Sequence, residues 1–236
     1  MSNSKLVDYT KISPNKTSPR NHKIDTITIH CVVGQCSVET LGNVFAPTSR
    51  QASSNYGIGY DGRIGMYVEE KDRSWCSSSA SNDNRAITIE VASDTKHPYK
   101  VRDAAYKALI DLCTDICKRN GIKELKWKAD KSLIGKVEQQ NMTVHRWFAN
   151  KACPGDYLYN LHGQIAAEVN ARLGVVSDTT PDTNAALEYA VGDVVTFKGT
   201  KHYASSNGTN GKTCKPGEAR VTSVAKNGKH QYHLIK

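Results

Sequence analysis

Two histidines and one cysteine are the residues of this sequence best suited to chemistry. His145 ends the short run MTVH, Cys153 follows eight residues later, and His30 lies near the end of the strand-like run TITIHC. Imidazole nitrogen and thiolate both bind Zn²⁺, and three protein ligands leave its fourth tetrahedral position for water, as in catalytic zinc sites. Taken alone, Cys153 has two other interpretations, a packed small hydrophobe and half of a disulfide. Spacing by itself does not choose among the three.

Alternating patterns predict the strands that must position these side chains. Strand patterns occur in three segments: TITIHC (26–31), NYGIGYDGRIGMYV (55–68) and AITIEVA (86–92). The second segment contains Asp61-Gly62, which predicts a hairpin because both residues tolerate positive φ. In the third segment, period two places Glu90 and Thr88 on one face of the strand.

Apolar residues at helical spacing predict two helices. One stripe covers residues 105–116 and is closed by Gly121, and a second covers residues 158–173 and ends at Gly174. Because strands and helices alternate along the chain, we predict the fold class α/β, with a mixed β-sheet flanked by helices.

A change of composition predicts a domain boundary. Periodicity stops at VVSDTTPDTNAA, and we interpret residues 175–186 as a linker. It separates a larger domain over residues 1–174, which contains His30, His145 and Cys153, from a small all-β domain over residues 187–236, where short strands are broken by Gly- and Asn-rich turns.

Charge and composition restrict the classes of partner that the protein is expected to bind. The formal net charge of +9 favours an acidic partner: nucleic acid, anionic lipid or an anionic polymer such as bacterial cell wall. Basic residues are scattered without a nucleic-acid-binding motif, so we predict no nucleic acid partner. A nucleic-acid binder stabilised by zinc stays as an alternative that only the charge supports. No apolar run approaches the roughly 18 residues that span a bilayer, and the N-terminus lacks a secretory signal. We therefore expect cytoplasmic synthesis and no membrane insertion.

The seven cysteines are an odd number in a chain too long to need disulfide staples. This favours free thiols or metal ligands. Cys31 points away from His30 across its strand and should be buried, and Cys113 and Cys117 share the apolar stripe of the first helix. Cys36 and Cys76 have no assignable role.

Four motifs, in this order, carry a resemblance to a known family: ITIHC, YDGRI, AITIEVA and VHRWFANKACPGDYL. They resemble the zinc-dependent N-acetylmuramoyl-L-alanine amidases of the type shared by phage lysozymes and peptidoglycan recognition proteins. The resemblance covers about residues 20–174. It implies that His30, His145 and Cys153 hold Zn²⁺, and that the substrate is the amide bond between N-acetylmuramic acid and L-alanine in bacterial peptidoglycan.

The resemblance also implies roles for residues around the metal. Glu90 would be the general base, with a salt-bridged strand glutamate as the alternative. Lys151 would stabilise the oxyanion, with a solvated lysine as the alternative. Trp75, Asn55 and Asn82 are the candidates for substrate contacts, although Trp75 is also a candidate core anchor.

The C-terminal YAVGDVVTFKG resembles the bacterial SH3-like modules of wall hydrolases. Residues 185–236 hold eight basic and three acidic residues, which suits binding to an anionic wall. We therefore predict a phage or prophage endolysin exported with a holin, and a bacterial autolysin or recycling enzyme is the alternative origin. A rival from another class is a non-catalytic peptidoglycan-binding recognition module. The presence of Cys153 favours the enzyme.

Overall fold

The computed structural model describes residues 2–175, 189, 192–203, 206–224 and 232–235. The chain divides into two compact units, residues 1–176 and 177–236. The predicted linker, residues 175–186, lies outside the described residues except for Val175. Among the helices of the described part, none has the length and apolar character needed to span a bilayer.

A six-stranded mixed sheet forms the centre of the first unit. Its strands are β1 (Tyr9–Thr10), β3 (Thr26–Cys31), β4 (Tyr56–Ile58), β5 (Ile64–Met66), β7 (Ala86–Val91) and β8 (Met142–Thr143), in the order β1-β5-β4-β7-β3-β8. Only β4 and β5 pair antiparallel, through the predicted hairpin, and Gly62 in its turn has φ +88°. A separate small ladder pairs β2 (Lys16–Thr17) with β6 (Arg73–Ser74).

Helices cover the sheet as predicted, which confirms the fold class. They are α1 (Val38–Phe45), α2 (Ala80–Arg85), α3 (Asp103–Asn120) and α4 (Gly155–Leu173). α3 and α4 pack against each other and end at Gly121 and Gly174, whose φ values of +69° and +74° suit the left-handed C-terminal position. Neither α1 nor α2 was predicted from the sequence. Ser37 caps α1 by accepting a hydrogen bond from the Thr40 N–H.

The central strand β3 is buried along its whole length. Its Ile27 and Ile29 side chains belong to the main apolar core together with residues of α3 and α4. Thr28, two residues before His30, instead meets polar partners, because its hydroxyl lies 2.7 Å from that of Thr143. β3 therefore has one apolar face and one polar face, and His30 lies on the polar face.

The second unit is all-β among its described residues. β9 (Val194–Phe197), β12 (Gly217–Val224) and β13 (Tyr232–Ile235) form an antiparallel sheet in the order β13-β12-β9, and β10 (Lys201–His202) pairs with β11 (Lys212–Thr213). Ala219 and Val221 of β12 are buried. This agrees with the predicted small all-β domain.

Candidate metal centre and active site

Strand ends bring the predicted site residues to one edge of the sheet. His30 and Glu90 are register partners in the parallel strands β3 and β7, one residue before each strand ends. β8 ends at Thr143, and His145 begins the short 3-10 turn that follows it. Cys153 lies two residues before α4. Because the carboxyl ends of parallel strands lie at the same edge, residues more than 100 positions apart converge here.

The two histidines and the cysteine form one compact group. One ligand atom from each of His30, His145 and Cys153 lies within 4.8 Å of the others. Cys153 Sγ is 3.4 Å from His30 Nδ1, and the imidazole centroids are 5.2 Å apart. All seven cysteines are free, so Cys153 is not half of a disulfide. The group has the composition and spacing to hold a metal ion.

The chemistry of these donors fits a cation. Burial, with a smaller effect of His145, lowers the pKa of His30 to about 3, and burial lowers the pKa of His145 as well. Both rings are therefore neutral near pH 7, which is the form that binds metal. His30 Nε2 is buried without a hydrogen-bond partner in the described part of the chain.

The thiol of Cys153 keeps its proton in the metal-free chain. A helix N-terminus favours the thiolate, but here a hydrogen bond with Cys31, followed by burial, raises the pKa of Cys153. Metal binding would therefore displace a proton from Cys153. Cys31 is buried, as predicted, and its thiol is hydrogen-bonded to that of Cys153.

Glu90 has the environment of a proton acceptor. Burial first, and then the nearby Cys31, raise the pKa of Glu90 to about 8. Its Oε1 accepts a long hydrogen bond from the Cys76 thiol at 3.8 Å, and its Oε2 is buried without a partner among the described residues. Within the same residues no ion pair reaches Glu90, so the interpretation as a salt-bridged strand glutamate has no support.

The raised pKa of Glu90 predicts a pH dependence of stability in the metal-free protein. The carboxyl binds a proton more tightly in the folded chain than in the unfolded chain, where its pKa is near 4.5. Its contribution to the free energy of unfolding is therefore fully present below about pH 4.5 and is lost as pH rises through about 8. Urea unfolding in EDTA should show the wild type losing stability relative to Glu90→Gln over this range. Parallel pH profiles would contradict the assigned pKa.

A second group of donors overlaps the first. His30, Cys76 and Glu90 also offer ligand atoms within 4.8 Å of one another. A metal held there would occupy the carboxylate of Glu90, whereas the group with His145 and Cys153 leaves that carboxylate free. We therefore take the His30, His145 and Cys153 group as the candidate metal centre.

Lys151 and Trp75 lie at the periphery of the site. Lys151 is exposed, and its charge contributes to the lowered pKa of His145 after the larger effect of burial. Trp75 is half-buried, and its indole N–H donates to Thr17 Oγ1 at 2.9 Å. It directly precedes Cys76, which contacts Glu90. Lys151 therefore stays a candidate for oxyanion stabilisation, and Trp75 stays a candidate for contact with substrate.

Asn55 and Asn82 are placed differently from the expectation of substrate contact. Asn55 is fully buried, and its Oδ1 accepts from the Thr88 N–H at 3.2 Å. The Asn82 amide donates to Thr28 Oγ1 at 3.0 Å and accepts from Thr143 Oγ1 at 2.9 Å. Both amides are turned inward and hydrogen-bonded, so in this structure they cross-link strands. Their assignment to substrate contact stays a prediction.

Polar residues in and before α2 contact the site, and these contacts were not predicted from the sequence. Ser78 Oγ lies 3.0 Å from His145 Nε2, and the carboxylate of Asp83 accepts from the backbone N–H groups of Cys76 and Ser77. The stretch SSSASNDN (77–84) is rich in capping residues, and this was the available signal for a fixed turn.

The fold and these side chains together define an enzyme of mixed α/β architecture with a group that can hold a metal ion. The sequence profile of the family described as N-acetylmuramoyl-L-alanine amidase matches residues 20–156, and the chain belongs to this family. It is thus a peptidoglycan hydrolase that cleaves the amide bond between N-acetylmuramic acid and L-alanine. No curated protein matches the chain.

Solved structures provide a further comparison. A selenomethionine derivative of AmpD is 17% identical, with a TM-score of 0.50, over 70% of this chain and 99% of that chain. The endolysin LysCS from Clostridium intestinale is 18% identical, with a TM-score of 0.46, over 72% and 94%. A mutant endolysin from Bacillus subtilis is 16% identical, with a TM-score of 0.47, over 69% and 99%. At 17% identity, the similarity to the AmpD structure supports the assignment of the fold and does not extend to function.

Proposed function

We propose that the chain is a zinc-dependent endolysin in which His30, His145 and Cys153 hold Zn²⁺ and Glu90 is the general base. This proposal is supported by one observation: three ligand atoms lie within 4.8 Å of one another, beside a carboxylate that has a buried oxygen without a hydrogen-bond partner among the described residues. When bound, Zn²⁺ supplies a Lewis acid that polarises the scissile carbonyl and lowers the pKa of water.

The chain's own residues perform the proton transfers. Glu90 Oε2 takes the proton of the attacking water and later returns it to the departing amine of L-alanine. A pKa near the working pH suits both steps, because the group must accept and then release the same proton. The Cys76 thiol, 3.8 Å from Oε1, restrains the carboxylate.

Lys151 provides positive charge near the metal ligands. Its ammonium is close enough to His145 to influence that ring. We assign it to the oxyanion that forms when water adds to the carbonyl, because charge present only in the transition state gains most from a fixed cation.

A defined muropeptide tests the proposal. Purified protein incubated with N-acetylmuramoyl-peptide should release peptides with a new N-terminal L-alanine, and EDTA should stop the release until Zn²⁺ is restored. Turnover that is insensitive to chelation in protein shown to be metal-free would reject the zinc mechanism. The same measurement on the Glu90→Gln variant distinguishes the contribution of the metal to turnover from that of the general base.

The C-terminal unit is proposed as an SH3-like wall-binding domain. Its described residues are all-β, and the surplus of basic residues suits an anionic wall polymer. Its attachment would raise the local concentration of the amidase at the wall. Export through a holin from a phage or prophage host completes the proposal and rests on the resemblance to phage lysozymes.

Removal of residues 175–236 should separate binding from catalysis. We expect sedimentation with purified cell walls to weaken at least tenfold, while kcat/KM on a small soluble muropeptide changes less than twofold, because tethering helps only on the insoluble substrate. Equal losses in both assays would contradict the assignment of wall binding to this unit. Added salt should weaken wall binding of the full chain, since the attraction is between exposed charges.

A further inference from the structure

We propose that Ser78 is a positioning residue whose hydroxyl orients the imidazole of His145 so that its Nδ1 faces the metal. The inference rests on the proposed zinc site and adds to it a residue outside the ligand set. The observation that supports it is the hydrogen-bonding distance of 3.0 Å between Ser78 Oγ and His145 Nε2.

The contact determines which nitrogen is left for the metal. A neutral imidazole carries one proton, and a hydroxyl oxygen can accept it when it lies on Nε2. The lone pair of Nδ1 then points to the other side of the ring. Imidazoles that bind metals generally donate their second N–H to such a partner, which fixes both tautomer and ring orientation. Ser78 is the described residue in that position for His145.

His145 needs this support more than His30 does. The His30 side chain is fully buried in β3 and is held by packing. His145 is only half-buried and begins a three-residue 3-10 turn, so neighbouring side chains restrain its ring less. A directed hydrogen bond is then the means by which the ring keeps one orientation before metal binds.

The backbone holds Ser78 in an unfavourable conformation. Its φ is +59°, in the left-handed region that is unfavourable for residues other than glycine. The surrounding loop maintains this geometry through the Asp83 carboxylate, which accepts from the N–H groups of Cys76 and Ser77 at 2.9 and 3.0 Å. Ser79 then caps α2 by accepting from the Asn82 N–H. The hydroxyl of Ser78 is thus presented from a fixed position.

Two substitutions separate the hydroxyl from the backbone. Ser78→Ala removes the hydroxyl and keeps the strain, whereas Ser78→Gly removes both, because glycine adopts positive φ readily. Ser78 is exposed, so neither change leaves a cavity. Ser81→Ala is the matched control, since Ser81 is exposed in the same segment and its hydroxyl contacts only that of Ser79 among the described residues.

The measurement is the zinc affinity of the full chain, by competition with a chromophoric chelator. Both Ser78 variants should bind Zn²⁺ about 10- to 100-fold more weakly than wild type, the usual effect of removing a hydrogen-bond partner of a ligand. The control should match wild type. Melting temperatures of the metal-free proteins should show no loss of folding for Ser78→Gly. The cobalt-substituted variants should also show altered visible absorption, because the ligand field changes with ring orientation.

Two outcomes would overturn the inference while leaving the zinc site intact. One is wild-type affinity, within twofold, in either Ser78 variant. The other is an equal loss in Ser81→Ala, which would trace the effect to the loop as a whole. Failure of the wild type itself to bind Zn²⁺ would instead overturn the proposed metal centre, and Ser78 would lose its role with it.

Discussion

Glu90→Gln is expected to reduce amidase turnover by about 10²- to 10⁴-fold while the protein keeps its zinc. Glutamine has nearly the same shape as glutamate, but its amide cannot take a proton from water near neutral pH. The side chain lies beside His30 in the neighbouring strand, and its Oε2 has no partner in the described part of the structure. The substitution therefore removes proton transfer and leaves the proposed ligands in place.

The measurement pairs muropeptide hydrolysis with the zinc content of the same sample. Glu138→Gln is the control, because Glu138 is exposed and lies outside both groups of potential metal ligands. The loss should appear in kcat rather than in KM, since the base acts in the transition state. Wild-type turnover in Glu90→Gln would remove Glu90 from the mechanism. Loss of zinc together with loss of turnover would instead make Glu90 a metal ligand rather than the base.

Cys153→Ala should remove zinc and activity together. Alanine leaves two imidazoles at a site that needs three protein ligands, so zinc affinity should fall by more than the roughly 10- to 100-fold expected for an outer hydrogen-bond partner. Turnover should fall to background at zinc concentrations that saturate the wild type. Zinc content after dialysis and muropeptide hydrolysis are the two measurements.

Two further variants make the Cys153 experiment specific. Cys153→Asp restores an anionic side chain of a type that binds Zn²⁺, and it should recover part of the zinc and turnover. Cys36→Ala removes a half-buried thiol that belongs to neither ligand group and should behave as wild type. Retention of stoichiometric zinc in Cys153→Ala would show that the ligand set is wrong.

Local sequence patterns were sufficient for the main elements. The stripes ending at Gly121 and Gly174 became α3 and α4, the Asp61-Gly62 turn joins β4 to β5, and AITIEV forms β7. These predictions succeeded because each depends on neighbours within a few residues. The missed helices α1 and α2 have only eight and six residues, too few for a stripe, although Ser37 and Ser79 were available as their capping signals.

Residue type and motif order were also sufficient to nominate His30, His145, Cys153 and Glu90. They did not determine the orientation of Asn55 and Asn82, which were candidates for substrate contact. An asparagine near a site in sequence can face either the groove or the interior. Here both amides satisfy buried hydroxyl or backbone groups of adjacent strands, and only the packed sheet determines that choice.

The amino-acid sequence by itself determined the α/β class, the principal helices and strands, the all-β C-terminal part and the family. Tertiary structure alone decided which side chains meet: that Cys31 touches Cys153, that the Cys76 thiol lies against Glu90, and that Ser78 reaches His145. The reason is physical. Periodicity and capping act within a few residues, whereas these contacts join separate segments whose distances are set by strand order, register and loop conformation.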